Sequence, residues 1–174
     1  MKHYLITLFI MLLLSGALVS CATSEERAAQ QAETALAVEK ALADRNYRII
    51  IQRMNPRRSS MVSLSYGYSL EVKGDTLVSY LPYYGRAYNV PYGGGKGLNF
   101  TERIRSYQSW RLKKGGTHIE LVVKNDEDTY LYMLDVFDNG RALIELQMQE
   151  REGISYDGDV DLSKKKEAEE SSKK

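Results

Sequence analysis

At 174 residues the chain has room for one domain with short appendages, and an apolar fraction of 43% excludes a wholly disordered polypeptide. Lys plus Arg number 24 against 23 Asp plus Glu, so the broad positive field that nucleic-acid binding needs is absent and nucleic acid is not an expected partner. One cysteine excludes an intramolecular disulfide, so stability must come from an apolar core.

Residues 1–20 have the three parts of an export signal: Lys2, an apolar run from Leu5 to Leu14, and the small residues Ser15, Gly16 and Ala17. Leu18-Val19-Ser20-Cys21 resembles the bacterial lipobox, in which a small residue gives the signal peptidase access and the thiol accepts a diacylglyceryl group. Cys21 is therefore the expected lipidation site and the membrane the expected partner through that lipid. Acyl chains anchor at about 0.8 kcal/mol per buried methylene. Ala22, rather than Asp, follows the cysteine. By resemblance to sorting in Gram-negative envelopes, that favours the outer membrane, with periplasmic and surface-facing placement both open.

Residues 21–45 are expected to form the lipidated cysteine and a helical spacer. Residues 24–45 lack Gly and Pro and are rich in Ala, Glu, Gln and Lys, and Thr23 with Glu26 has capping-box spacing. Ala28, Ala32, Ala35, Leu36 and Leu42 form a thin apolar stripe, with docking expected near Leu42.

From residue 46 the hydrophobic period changes to two. Strands are predicted over Tyr47–Met54, Tyr68–Lys73, Thr76–Leu81, Thr117–Lys124, Tyr130–Phe137, Ala142–Met148 and Ile154–Val160. Gly74-Asp75 and Asp138-Asn139-Gly140 read as hairpin turns, the second expected to place Asn139 and Gly140 both at positive φ. Short sequential connections imply an antiparallel meander. The expected class is α+β, mostly β: an N-terminal helix followed by a largely antiparallel sheet over 46–162, curled into a sandwich or half-barrel. Residues 163–174 are nearly all Lys, Glu and Ser and read as a disordered tail.

Tyrosine is the compositional oddity, 13 against three Phe, and seven of the tyrosines lie between Tyr66 and Tyr92. A ring with a hydroxyl at its tip suits sugars, peptides and protein surfaces, so Tyr83, Tyr84, Arg86, Tyr88 and Tyr92 are the candidate binding residues, Arg86 as an anion contact. Sheet packing is the competing role for these rings. Gly93-Gly94-Gly95-Lys96-Gly97 fails as a phosphate loop, because Gly97 stands where Ser or Thr is required and no helix follows. Beyond the leader only His118 remains, expected on the outward face of its strand; with no second His and no free thiol it builds neither a zinc site nor a Cys-His pair. Asn125-Asp126-Glu127-Asp128 lacks calcium-loop spacing and reads as a solvated turn. No catalytic residue and no cofactor is expected.

Three spaced motifs carry a family resemblance: Leu81-Pro82-Tyr83-Tyr84-Gly85-Arg86-Ala87-Tyr88, Asn139-Gly140-Arg141-Ala142 and Ile154-Ser155-Tyr156-Asp157-Gly158. Together they resemble the family known as domain of unknown function 4251, over about residues 40–160. The resemblance implies a small exported lipoprotein of Gram-negative bacteria and no particular activity. The expected function is a non-enzymatic envelope lipoprotein that binds a glycan, peptide or envelope-protein ligand. Alternatives are an envelope hydrolase using paired carboxylates from Glu102, Asp135 or Glu145, and a purely structural envelope component.

Overall fold

The protein is described by a computed structural model covering residues 24–65, 67–88 and 97–163. Cys21 and Tyr92 lie outside the described residues, as do most of the Gly93–Gly97 run and the tail from 164 onward.

Helix α1 spans Ser24–Ala43. Glu25 and Glu26 in its first turn and Lys40 in its last complement the helix dipole. The chain divides after Gln30 into two compact units, and the second half of α1 belongs with everything that follows it. Its buried residues are Ala37, Val38 and Leu42, whereas Leu36 is 66% exposed. Docking at Leu42 is as expected, but the apolar stripe is rotated by about one residue from the expected one. The chain turns out of the helix at Arg45, two residues past its end, whose φ of 48° is left-handed. Gly is the usual residue there. Here the Arg45 carbonyl accepts from Gly74 N at 2.8 Å, and its guanidinium lies 4.2 Å from the Tyr107 ring centroid.

Nine strands follow: β1 Asn46–Pro56, β2 Val62–Ser63, β3 Ser69–Lys73, β4 Thr76–Leu81, β5 Leu98–Arg111, β6 Thr117–Lys124, β7 Thr129–Val136, β8 Arg141–Met148 and β9 Ile154–Val160. All pairings are antiparallel, and the order is β2-β1-β3-β4-β5-β6-β7-β8-β9. An additional pairing of β1 with β9, from Ile49↔Val160 to Pro56↔Ile154, closes the ring. The meander thus goes beyond the expected sandwich or half-barrel: eight strands form a closed barrel, with β2 a short flap on β1. Closure removes the unpaired edges that an open sheet would expose.

Gly158 makes the seam possible, because a Cβ there would collide with the Ile50 carbonyl. The interior is filled by side chains, as expected for eight strands. Tyr130, Tyr132 and Tyr156 are fully buried among Ile49, Leu70, Leu77, Leu121, Leu134 and Ile144. Ser79 joins two interior walls: it accepts from the Tyr132 hydroxyl at 3.2 Å and donates to Leu98 O at 2.7 Å.

The turn after β7 is a hairpin of a different type from the expected one. Gly140 alone takes positive φ, at 85°, and Asn139 does not. Gly140 N donates to Phe137 O, and the Asn139 side chain accepts from Arg141 N, which is the three-residue loop ending in a left-handed glycine. One barrel end carries α1 and the β3–β4, β5–β6 and β7–β8 turns. The other carries the longer connections around residues 57–68, 82–88, 125–128 and 149–153.

Candidate functional site

The loop end is tied together by polar side chains. Asn125 Oδ1 accepts from Glu127 N and Asp128 N, both at 2.9 Å, closing the β6–β7 turn. Asp128 is buried, and its carboxylate accepts from Thr129 N, Gln149 N and Glu150 N. The acidic turn is therefore an internal brace between two loops rather than the solvated turn its composition implies. Arg151, also buried, reaches Glu127 at 2.6 Å.

Onto this brace lies the segment after β4. The Tyr156 hydroxyl donates to Pro82 O at 2.8 Å, and Ala87 bridges Arg151. Tyr83 is half-buried, its hydroxyl 3.0 Å from both Arg86 O and Glu152 O. Burial, followed by the Glu152 charge, raises the Tyr83 pKa. Tyr83 thus acts as a strut. Tyr84 and Tyr88 are 63% and 68% exposed, and Arg86 is exposed beside them.

A concavity of about 320 Å³ opens at this point, lined by Pro56, Arg58, Ser59, Tyr84, Gly85, Arg86 and Glu152. Glu152 is buried, and Arg58 Nε donates to it at 2.8 Å. Burial pushes the Glu152 carboxyl upward, but the Arg58 hydrogen bond, the Arg86 backbone and the charges of both arginines outweigh it and hold the pKa below 4.5. The Arg86 guanidinium makes no hydrogen bond or ion pair with the described residues. Two guanidiniums against one carboxylate, beside an exposed ring, leave room for one further anionic group. Of the sequence candidates, the structure brings Tyr84 and Arg86 into this concavity, puts Tyr83 beneath it, and leaves Tyr88 exposed two residues beyond Arg86. Arg58 and Glu152 were not legible as site residues, because Glu150-Arg151-Glu152 reads as a solvated charge run although its last two members are buried.

The other charged residues gather elsewhere. Glu102 pairs with buried Leu77 and shares the barrel's inner side, whereas Asp135 pairs with His118, and Glu145 with Met133, on the outer side. Of the three carboxylates weighed for hydrolysis, Glu102 therefore lies on the opposite face of the barrel wall from Asp135 and Glu145. His118 is outward as expected but largely covered: its Nδ1 contacts Asp135 at 2.5 Å and its ring lies 4.5 Å from that of Trp110. Among the described residues no group of three metal-ligating side chains forms a site, and no described helix is long and apolar enough to cross a membrane. A second concavity, of about 400 Å³, lies between α1 and the start of β1. Its rim mixes Lys40, Arg48 and Lys73 with Asp44, Glu71 and Asp161, so it selects neither sign of charge.

The family model described as Domain of unknown function (DUF4251) matches residues 29–160. The chain belongs to this family. Among solved structures, a DUF4251 family protein from Bacteroides eggerthii DSM 20697, determined by crystallography at 1.95 Å, is similar in fold. It shares 12% identity, with a TM-score of 0.57 over 76% of this chain and 89% of that one. No curated protein matches. The three motifs that resemble DUF4251 prove mostly architectural: Leu81 and Tyr156 are core, Pro82 receives the Tyr156 hydroxyl, Asp157 holds Arg53 at 2.8 Å, and Gly158 admits the seam.

Proposed function

We propose that this DUF4251 protein is an envelope lipoprotein, tethered through lipid on Cys21, whose barrel binds an anionic glycan at the loop end. The observation that carries the reading is the concavity between Arg58, Arg86 and Tyr84 over the Arg58–Glu152 pair. Arg86 meets a carboxylate in a fork-to-fork contact, and the exposed Tyr84 ring offers an apolar platform to a sugar face. Glu152 holds Arg58 in place and repels a second anion, so the concavity takes one carboxylate of the ligand at a time. The binding is non-enzymatic: the described carboxylates nearest the concavity serve as braces.

The test uses the full-length lipoprotein in detergent, titrated with an oligogalacturonate and with a neutral oligogalactan of equal length. The acidic sugar is expected to bind at least about tenfold more tightly. The double variant Tyr84→Ala, Arg86→Ala is expected to lose that binding while its thermal midpoint moves by less than about 2 °C, because both side chains are exposed. Equal binding of the two sugars, or unchanged binding by the double variant, refutes the site. Mass measurement of the same preparation checks the tether, which an unmodified sulfur at Cys21 would remove.

A further inference from the structure

β5 is covered unevenly by its neighbours. β4 pairs with Leu98–Arg103 only, because the β3–β4 hairpin turns back at Gly74-Asp75. β6 pairs with Ile104–Arg111 on the opposite side, with a bulge between Ile104 and Ser106. Leu112 N donates to Gly116 O at 3.0 Å, which fixes the phase of that ladder. Ser106, Gln108 and Trp110 turn their N–H and C=O toward β6, and Tyr107, Ser109 and Arg111 turn theirs away. On that far side no described strand pairs with them, and no described residue hydrogen-bonds those six backbone groups. Every residue from Arg105 to Arg111 is exposed except half-buried Tyr107. Among the described residues, the end of β5 is therefore an open edge on an otherwise closed barrel wall.

The edge is also basic. Arg103, Arg105, Arg111, Lys113 and Lys114 lie within it or beside it, and no acidic residue occurs from Arg103 to Lys114. Asp138 offsets Arg111 alone, at 2.9 Å. A second copy suits the edge poorly. Antiparallel self-pairing centred on Gln108 sets Arg105 against Arg111, and parallel pairing sets each arginine beside its twin; like charges opposed across a ladder are destabilising.

We propose that the free edge of β5 receives an extended, acidic segment of a partner protein as an added strand. Backbone groups of Tyr107, Ser109 and Arg111 supply the ladder, and the flanking cations select the partner's charge. The edge lies at the helix end, away from the concavity around Arg86, so neither proposal depends on the other.

Fluorescence anisotropy on the full-length protein in detergent tests the idea, with a labelled heptapeptide of alternating glutamate and valine as probe. The probe is expected to bind at least about tenfold more tightly than a lysine–valine counterpart. N-methylation of alternate peptide nitrogens along one edge keeps the charge and is expected to weaken binding at least about tenfold. Ser109→Pro deletes an N–H that faces away from β6 and is expected to weaken binding similarly. If that variant does not fold, the N-methylated peptide decides. Absence of acidic-peptide binding overturns the proposal. So does equal binding of the N-methylated peptide, which would make the contact one of charge alone, or tighter binding of a single-stranded oligonucleotide to the same hairpin.

Discussion

The two ends of the barrel are closed by different chemistry. At the helix end, Val38 and Leu42 of α1 join Tyr47 in the apolar core, and a Cβ on Gly140 would sit 3.9 Å from Val38. At the loop end the closing contacts are Asp128 on three backbone amides, Tyr83 between two carbonyls, and Arg58 on Glu152. Apolar closure is non-directional and tolerates small adjustments. Polar closure fixes each partner in place and leaves an unsatisfied group when one is lost. A plug and a set of braces therefore place different demands on the residues around them, and the braced end is the one that keeps Tyr84, Tyr88 and Arg86 exposed at its surface.

Three perturbations sharpen or break this contrast. Leu42→Ala should have the largest effect, destabilising the fold by about 3 kcal/mol through lost transfer energy and an unfilled space beneath the helix. Urea denaturation measures it, and a loss below about 1 kcal/mol would mean that α1 is an appendage rather than a plug. Asp128→Ala should come next, at about 2 kcal/mol, because it strands the amides of Gln149 and Glu150. Backbone hydrogen exchange should lose protection there while the residues around Tyr47 keep theirs; a uniform loss would make the two ends one cooperative unit.

The smallest expected effect is of pH. Because the Glu152 carboxyl is depressed in the fold, its stabilising contribution is present above the ordinary value of 4.5 and is lost as pH falls through the lower folded value. In acid, protection at Arg86–Tyr88 and Gln149–Glu152 should therefore fade before protection at the helix end, where Val38, Leu42 and Tyr47 close the barrel by apolar contact. NMR-detected exchange at pH 6 and pH 3 would show the order, and the reverse order would contradict the braced-end account.

Seven of the nine strands were legible because alternation survives wherever one face lines the barrel and the other meets water. β5 was not, although at 14 residues it is the longest. Its inner positions run Leu98, Phe100, Glu102 and Ile104, the bulge before Ser106 shifts the phase, and Tyr107, Ser109 and Arg111 then extend past β4. Both halves of the period-two signal are thereby erased. Closure was invisible for a related reason: β9 alternates throughout and β1 alternates on either side of a bulge between Ile51 and Arg53, so neither strand announces its partner, and Gly158, a small residue in a strand, is the hint that another backbone comes close. At the candidate site the sequence singled out Tyr84 and Arg86 for their composition. It gave Tyr83 the same role, because a ring that braces and a ring that binds look alike until the hydroxyl's partners are known. Arg58 and Glu152 come from connections far apart in the chain, and a sequence does not reveal such a meeting.

The seam between Ile49 and Val160 also governs when the ring can form. Strands β3 to β8 each meet a neighbour made shortly before them, so a curled ribbon can grow along the nascent chain. The first strand, however, waits for the last to be synthesised before its second side is satisfied. Long-range pairing of this kind is slow, and until it occurs two bare margins face the surroundings. A message truncated before codon 154 would yield a ribbon that lacks its final stave and sticks to its own kind, whereas in the finished product the margin left on the barrel wall among the described residues is short and arginine-guarded.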